Sequence, residues 1–353
     1  DIVGPDEAAP AARPLDAQAG IGLRRFLPPA IHEAAELAYS VPACWRLAAR
    51  ARAFAPDVIY ERYNLFFHSG VRLARARDLP LLLEVNAPLV EERARHGKLA
   101  LKSLAQWSER SIWRAADRVL PVTQALADYV IAAGVAPERI TVIPNGVECE
   151  FLEDRDPQPV RARYGLEGKI VLGFTGFVRD WHGLDRIVSY LGERRRDDLA
   201  LLIVGDGDAR ANLERQAKSL GLDKAVIFTG VVQRDAVPAH LAAFDIALQP
   251  AVTAYASPLK LFEYLAAGRA IIAPDMANIR EVVDANSAML VAEADQAALF
   301  AALDALVSDA DLRARLGAAA RAALIRRGFT WDENARRVEE IARSAMTGRR
   351  TAP

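Results

Sequence analysis

Phe244-Asp245-Ile246-Ala247-Leu248-Gln249-Pro250, a loop, Ser257-Pro258-Leu259-Lys260-Leu261-Phe262-Glu263-Tyr264-Leu265-Ala266-Ala267-Gly268, then Arg269-Ala270-Ile271-Ile272-Ala273-Pro274-Asp275: this stretch decides the fold. It reads as strand, helix, strand. Asp245 to Leu248 is a short apolar run stopped by Pro250, and Ala270 to Ala273 is another stopped by Pro274, the pattern of strands buried on both faces. Between them the punctuation is helical. Ser257 is a good N-cap acceptor, Pro258 suits a first helical position that needs no donor, and Gly268 suits a left-handed C-terminal cap. A helix that begins at a strand's carboxyl edge points its free N–H groups and positive dipole end toward the crevice where open α/β sheets hold ligands, which favours a diphosphate. Lys260 and Glu263 fall in its first two turns. A lysine can pair a phosphate and a glutamate can accept two ribose hydroxyls, so both needs of a nucleotide ligand stand within one helical turn. The same spacing also suits a solvated ion pair contributing about 0.2–0.5 kcal/mol.

Further upstream, Lys169 to Phe174 is a strand, and Thr175-Gly176-Phe177-Val178-Arg179-Asp180-Trp181-His182-Gly183 is a glycine-flanked loop opening a helix from Leu184 to Tyr190. Such a loop lets backbone N–H groups approach a phosphate closely. Leu201-Leu202-Ile203-Val204-Gly205-Asp206-Gly207 is a further strand and turn that lacks the third glycine of a dinucleotide fingerprint, which weakens a dehydrogenase reading. Asp206 and Asp208, like Asp154 and Asp156, form acid-x-acid pairs, better read as turn and linker residues than as metal ligands, because no His or Asp cluster accompanies them. The strand Ala225 to Phe228 leads into Thr229-Gly230-Val231-Val232. Downstream come a strand near Ala288 to Val291, two helices from Gln296 to Arg327, a last helix from Trp331 to Ala345 and a frayed tail, Thr347 to Pro353.

The first part of the chain alternates in the same way. A helix from Ala30 to Phe54, broken at Pro42, delivers the strand Asp57 to Tyr60, whose carboxyl edge carries Glu61, Arg62, Tyr63 and Asn64. After a helix from Val71 to Arg77, the strand Leu81 to Asn86 places Glu84 and Asn86 on one face. A helical region from Lys98 to Ala116 interleaves Lys98, Lys102, Arg110 and Arg114 with Trp107 and Trp113. An anionic membrane could take such a face, but tryptophans at helical spacing more often pack in a core, and Glu91, Glu92, Glu109 and Asp117 dilute the charge. Strands at Arg118 to Thr123 and Ile140 to Ile143 precede Pro144-Asn145-Gly146-Val147, and Glu153 to Pro159 reads as a linker.

The 353 residues are too many for one ordinary core and suit two domains of about 150–180 residues each. With 45 basic and 46 acidic side chains there is no general attraction to nucleic acid. Cys44 and Cys149 are too few for a disulfide framework or a cysteine metal site, which fits a reducing cytoplasm. No apolar run approaches the ~18 residues of a membrane span. Asp1-Ile2-Val3-Gly4-Pro5 reads as the tail of a strand already under way, so upstream sequence is expected.

The segment from Gly173 to Glu281 resembles the nucleotide-sugar half of the family-4 retaining glycosyltransferases of GT-B fold. Glu263 matches the second Glu of that family's paired-Glu signature and Ala266-Ala267-Gly268 its small-residue end, while the first Glu falls on Tyr255. The resemblance implies two doubly wound α/β domains facing each other across a cleft: an acceptor-side domain over 1–147 that lacks its first strand and glycine-rich loop, a donor domain over 148–330, and a helix over 331–346 crossing back. It implies Lys260 at the donor diphosphate, with Arg179 and His182 standing near the positions where relatives carry Arg and Lys. It further implies a donor site of Gly176, Gly230, Val231, Ser257, Pro258, Leu259 and Glu263, with the Gly230 to Val232 backbone holding the base. Glu84, Asn86 and Glu61 are the acceptor-side candidates, in place of the His that many relatives carry. The implied function is retaining transfer of a sugar from a nucleoside diphosphate to a hydroxyl of a glycan, lipid-linked or small-molecule acceptor, with no cofactor, no metal and no nucleic-acid partner, in the cytoplasm or peripherally at the inner membrane face. A noncatalytic nucleotide-sugar binding protein and a GT-B sugar-nucleotide epimerase are the alternatives.

Overall fold

The computed structural model describes residues 28–350 other than 96 and 98. Asp1 to Pro5, Lys98 and the last three residues of the expected tail lie outside the described residues. The chain divides into two compact units, one holding the chain up to Ile143 and again from Arg337, the other Pro144–Arg336.

In the first unit β1 (Ile59–Arg62), β2 (Leu81–Val85) and β3 (Arg118–Pro121) form a parallel sheet in the order β1-β2-β3. Central β2 is the apolar one: Leu81, Leu82, Leu83 and Val85 are fully buried. The helix Trp331–Arg350 supplies Val338, Ile341, Ala342 and Ala345, an i, i+3, i+4, i+7 stripe, to a cluster with Leu82 and Leu120. That helix runs through Thr347, so the tail expected to fray there is helical to Arg350.

Several expected boundaries move in this unit. The first strand sits two residues later than its apolar run suggests, so Glu61 and Arg62 lie within β1 rather than beyond it. The helix Pro29–Phe54 is continuous through Pro42, whose ring points to the exposed side, where the missing hydrogen bond is least costly. The helix expected from Lys98 begins at Lys102 and runs to Ala115, preceded by a separate short helix, Leu89–Arg95; in the longer one Trp113 is buried and Trp107 is 57% exposed. Ile140 to Ile143 is not a strand but an extended segment, tied to β3 by Thr141 N–H on the Val119 carbonyl and Ile143 N–H on that of Pro121.

The second unit holds β4 (Ile170–Thr175), β5 (Leu199–Val204), β6 (Val226–Gly230), β7 (Ile246–Leu248), β8 (Ala270–Pro274) and β9 (Met289–Val291), all parallel, in the order β6-β5-β4-β7-β8-β9. Alternate side chains go to opposite faces. Val171, Ala200, Leu202, Ala247 and Ile271 meet Phe262 and Leu265 on one side, while Leu172, Leu201, Ile203, Ile246 and Ile272 meet Ile187, Leu191 and Leu303 on the other. Each such burial contributes about 1.5–3 kcal/mol, which is why these short strands are apolar throughout. The strand order reverses between β4 and β7, and in open α/β sheets that reversal is where loops part and ligands enter.

Candidate functional site

The site is built at this reversal. The helix Leu259–Ala266 follows β7, and Leu261, Phe262, Tyr264, Leu265 and Ala266 are all fully buried, so its position is fixed by packing rather than by propensity. At its far end Gly268 has φ 62°, with its N–H on the Leu265 carbonyl and the Arg269 N–H on that of Tyr264, the two bonds of a Schellman stop. The beginning differs from expectation. Pro258, not Ser257, is the capping residue, because Ser257 is held by Asn145: its Oγ accepts the Asn145 N–H at 3.3 Å and its carbonyl accepts Asn145 Nδ2–H at 2.7 Å.

Tyr264 pins the helix to both strands at the reversal. Its hydroxyl oxygen accepts the Thr175 N–H at 3.0 Å at the end of β4 and donates to the Leu248 carbonyl at 3.3 Å at the end of β7. One turn earlier, Lys260 is thereby delivered against Gly176. Its ammonium lies 3.9 Å from the centre of the Phe174 ring and 3.4 Å from His182 Nε2, and a Cβ on Gly176 would come within 3.5 Å of it. Burial pushes Lys260 down from the ordinary 10.5 to about 7, with Glu263 acting weakly in the other direction. His182 is buried too. Its Nδ1 accepts the Arg179 N–H at 3.1 Å, so the neutral ring carries its proton on Nε2, the atom facing Lys260. Burial first, then the charges of Lys260 and Arg179, hold His182 down at about 3. Two N–H donors thus face one another, and among the described residues no carboxylate lies within ion-pair distance of Lys260.

The glycine loop works differently from its sequence reading. Gly176 N–H goes to the Val204 carbonyl, Val178 N–H to that of Asp206, and those of Arg179, His182 and Gly183 close bonds within the loop. These N–H groups are engaged by protein. Gly205 explains the seating: a Cβ there would come within 2.1 Å of the Gly176 carbonyl oxygen, so the second glycine turn is a surface on which the first one lies. Asp206 and Asp154 pair with Arg210 and Arg321.

Of the other candidates, Arg179 lies with its guanidinium 4.6 Å from the Phe177 ring, lining a cavity between the helices Leu184–Arg194 and Arg210–Ser219 rather than contacting Lys260. Gly230 closes β6 at φ 71°, followed by Val231, which is 85% exposed, and Leu259 is half exposed. Glu263 is buried, with Oε1 on Arg234 Nη1 at 2.5 Å. In the first unit Glu84 accepts Tyr60 O–H and Asn86 Nδ2–H, both at 2.5 Å, so its two oxygens are satisfied by neighbours. Glu61 is half-buried beside Gly70, its buried Oε2 has no hydrogen-bond partner, and loss of solvent raises it to about 7. Sequence reasoning missed Arg234 and Glu148, which carry no spacing signal, and gave Asn145 no role at the helix Leu259–Ala266.

An all-parallel sheet whose strand order reverses between β4 and β7, preceded by a second parallel unit, is the arrangement of the GT-B class. The likeness to solved structures agrees: HepE of Anabaena in complex with UDP is similar with a TM-score of 0.72 at 21% identity, over 86% of this chain and 82% of that one. Residues 169–309 match the family "Glycosyl transferases group 1" and residues 1–146 the "Glycosyl transferase 4-like domain". D-inositol 3-phosphate glycosyltransferase 1 of Catenulispora acidiphila is 30% identical over 315 residues, 84% of this chain and 74% of that protein. 2-Deoxystreptamine glucosyltransferase of Streptomyces kanamyceticus is 32% identical over 152 residues, 41% of this chain and 39% of that protein. The chain belongs to the group 1, family-4 glycosyltransferases.

Proposed function

We propose that the chain moves a sugar, with retention, from a nucleoside diphosphate to a hydroxyl acceptor, holding the diphosphate between Lys260 and His182. The observation that carries this reading is the pair of facing N–H donors at the strand reversal, 3.4 Å apart with no anionic partner between them among the described residues. A phosphate oxygen there accepts from both, and its charge draws a full proton onto Lys260. As the bond to the sugar breaks, negative charge grows on the leaving diphosphate, and a preorganised ammonium and imidazole N–H meet it without reorganising. Glu263 takes the ribose hydroxyls and the Gly230 to Val232 backbone the base, while Arg179 reaches the outer phosphate by leaving the face of Phe177. The leaving phosphate itself accepts the acceptor's proton, so no protein base is required. The transfer is metal-independent in this reading, and a rate unchanged by a chelator supports that part while a rate abolished by it overturns it. HepE's complex with UDP makes UDP the first nucleotide to try.

The test is calorimetric titration with UDP and GDP of the wild type, Lys260→Ala and Glu263→Ala. Micromolar binding of one nucleotide, weakened about 30-fold or more in each variant, supports the site. A folded wild type that binds neither, or binding indifferent to Lys260, overturns it.

A further inference from the structure

Glu263 does not stand alone. Arg234, in the turn after β6, reaches its Oε1 through Nη1 at 2.5 Å, and with the other edge of its guanidinium grips Glu148, Nη2 to Oε2 at 2.6 Å and Nε to Oε1 at 3.3 Å. The flat face of the group lies over Phe151, 4.5 Å from the ring centre. Both edges and one face are thus fixed. The fork matches two carboxylates in a way a point charge cannot. The burial is graded as well: the Glu263 side chain is 8% exposed, that of Arg234 53% and that of Glu148 40%. The inner carboxylate is the one with least access to water, and the outer two members hold it.

We infer that Arg234 is a positioning residue for ribose recognition, anchored from behind by Glu148 and setting the plane of the Glu263 carboxylate. The inference rests on the donor reading above and adds residues to it that neither motif nor resemblance supplied. The chemistry is specific. A carboxylate that accepts two vicinal hydroxyls must keep its plane fixed, and a buried carboxylate without a partner would turn or protonate. Arg234 occupies one lone pair of Oε1 and leaves the rest of the carboxylate's acceptor capacity for hydroxyl donors. The three groups together carry a net negative charge. Phosphate is therefore turned away from this end of the helix and drawn toward Lys260, three residues earlier, which orients the nucleotide along it.

The experiment compares binding of UDP, 2′-deoxy-UDP and UMP to the wild type, Arg234→Gln, Arg234→Lys and Glu148→Gln, with the guanine series used instead if the chain selects that base. In the wild type, loss of the 2′-hydroxyl is expected to weaken binding about 10-fold. Arg234→Gln is expected to shrink that ratio below about 3-fold while the ratio of UDP to UMP stays unchanged, with Arg234→Lys intermediate. Glu148→Gln, which touches no ligand, is expected to move the ribose ratio the same way by less. Each variant's cooperative unfolding transition is recorded beside the titration, and Glu148→Gln carries the test if Arg234→Gln is misfolded. A ribose ratio unchanged in the folded variants, or an equal loss of both ratios, overturns the inference while leaving the donor site standing. A wild type that binds no nucleoside diphosphate overturns both.

Discussion

The polar residues at the carboxyl ends of the two sheets differ in what they do with their hydrogen-bonding capacity. In the first unit Glu84 is satisfied by Tyr60 and Asn86, and half-buried Glu61 lies against Gly70 with one oxygen unpartnered and a proton held on it to about pH 7. In the second unit Lys260 and His182 face one another as two donors, and Glu263 keeps acceptor capacity beyond Arg234. Matched groups stabilise a fold, whereas unmatched groups of one sign mark a place prepared for a ligand of the other sign. On the proposed donor reading the second sheet bears such a place. Of the first sheet's acceptor-side candidates, Glu84 and Asn86 spend their bonds on each other and on Tyr60, whereas Glu61 keeps an unpartnered oxygen.

The largest effect that could break this comparison is on nucleotide affinity. Lys260→Met is expected to lower it about 30- to 100-fold and to abolish its pH dependence. The sign follows from the depressed Lys260 value. Below about pH 7 the free protein already carries the proton that a diphosphate needs; above it, binding must take one up, so wild-type affinity falls as pH rises from 7 toward 9. Stability runs the other way: the unfolded chain binds the proton more tightly between about 7 and 10.5, so the cost of burying this charge is present below pH 7 and is relieved as pH rises. Titrations at pH 6.5 and 8.5 that give equal wild-type affinities would remove Lys260 from the site.

Next in size is Tyr264→Phe. It leaves the Thr175 N–H and the Leu248 carbonyl without their shared partner, for a cost of about 1–3 kcal/mol in urea unfolding, and loosens the placement of Lys260, weakening nucleotide binding several-fold. An unchanged midpoint would show that packing alone sets the helix.

Glu61→Gln sharpens the contrast from the other side. With the folded value raised to about 7, the native state holds a proton between pH 4.5 and 7 that the unfolded chain releases, so wild-type stability falls as pH rises through that window. The variant lacks this dependence. It is expected to gain on the wild type by about 1–2 kcal/mol between pH 5 and pH 8, with nucleotide affinity untouched. Parallel pH profiles for the two proteins would place the carboxylate in water. The smallest effect belongs to Glu84→Gln, less than ~1 kcal/mol in stability, because its bonds to Tyr60 and Asn86 are near solvent. A sugar-acceptor rate that collapses in this variant would reverse the assignment of Glu84 to structure.

Sequence patterning determined much of this protein on its own. Apolar runs stopped by Pro250 and Pro274, with Gly268 between them, give a strand, a helix and a strand because burial on both faces and a left-handed stop leave few other solutions. Lys260 and Glu263 were legible for the same reason: residues three apart on one helix cannot be separated by any later folding. Tertiary structure decided what no local pattern carries. That β4 and β7 are neighbours brings Lys260 to His182 across 78 positions of sequence, and Asn145 takes Ser257 from its capping role across 112. Likewise Arg234 and Glu148, 86 apart, meet over Phe151, and the Gly176 N–H that a local glycine promised to a phosphate is claimed by Val204 of β5. Period and punctuation are properties of neighbours along the chain, but hydrogen-bond partners are chosen by whichever donor and acceptor the packed sheet brings within 3 Å or so, and that choice is made only when the sheet has formed.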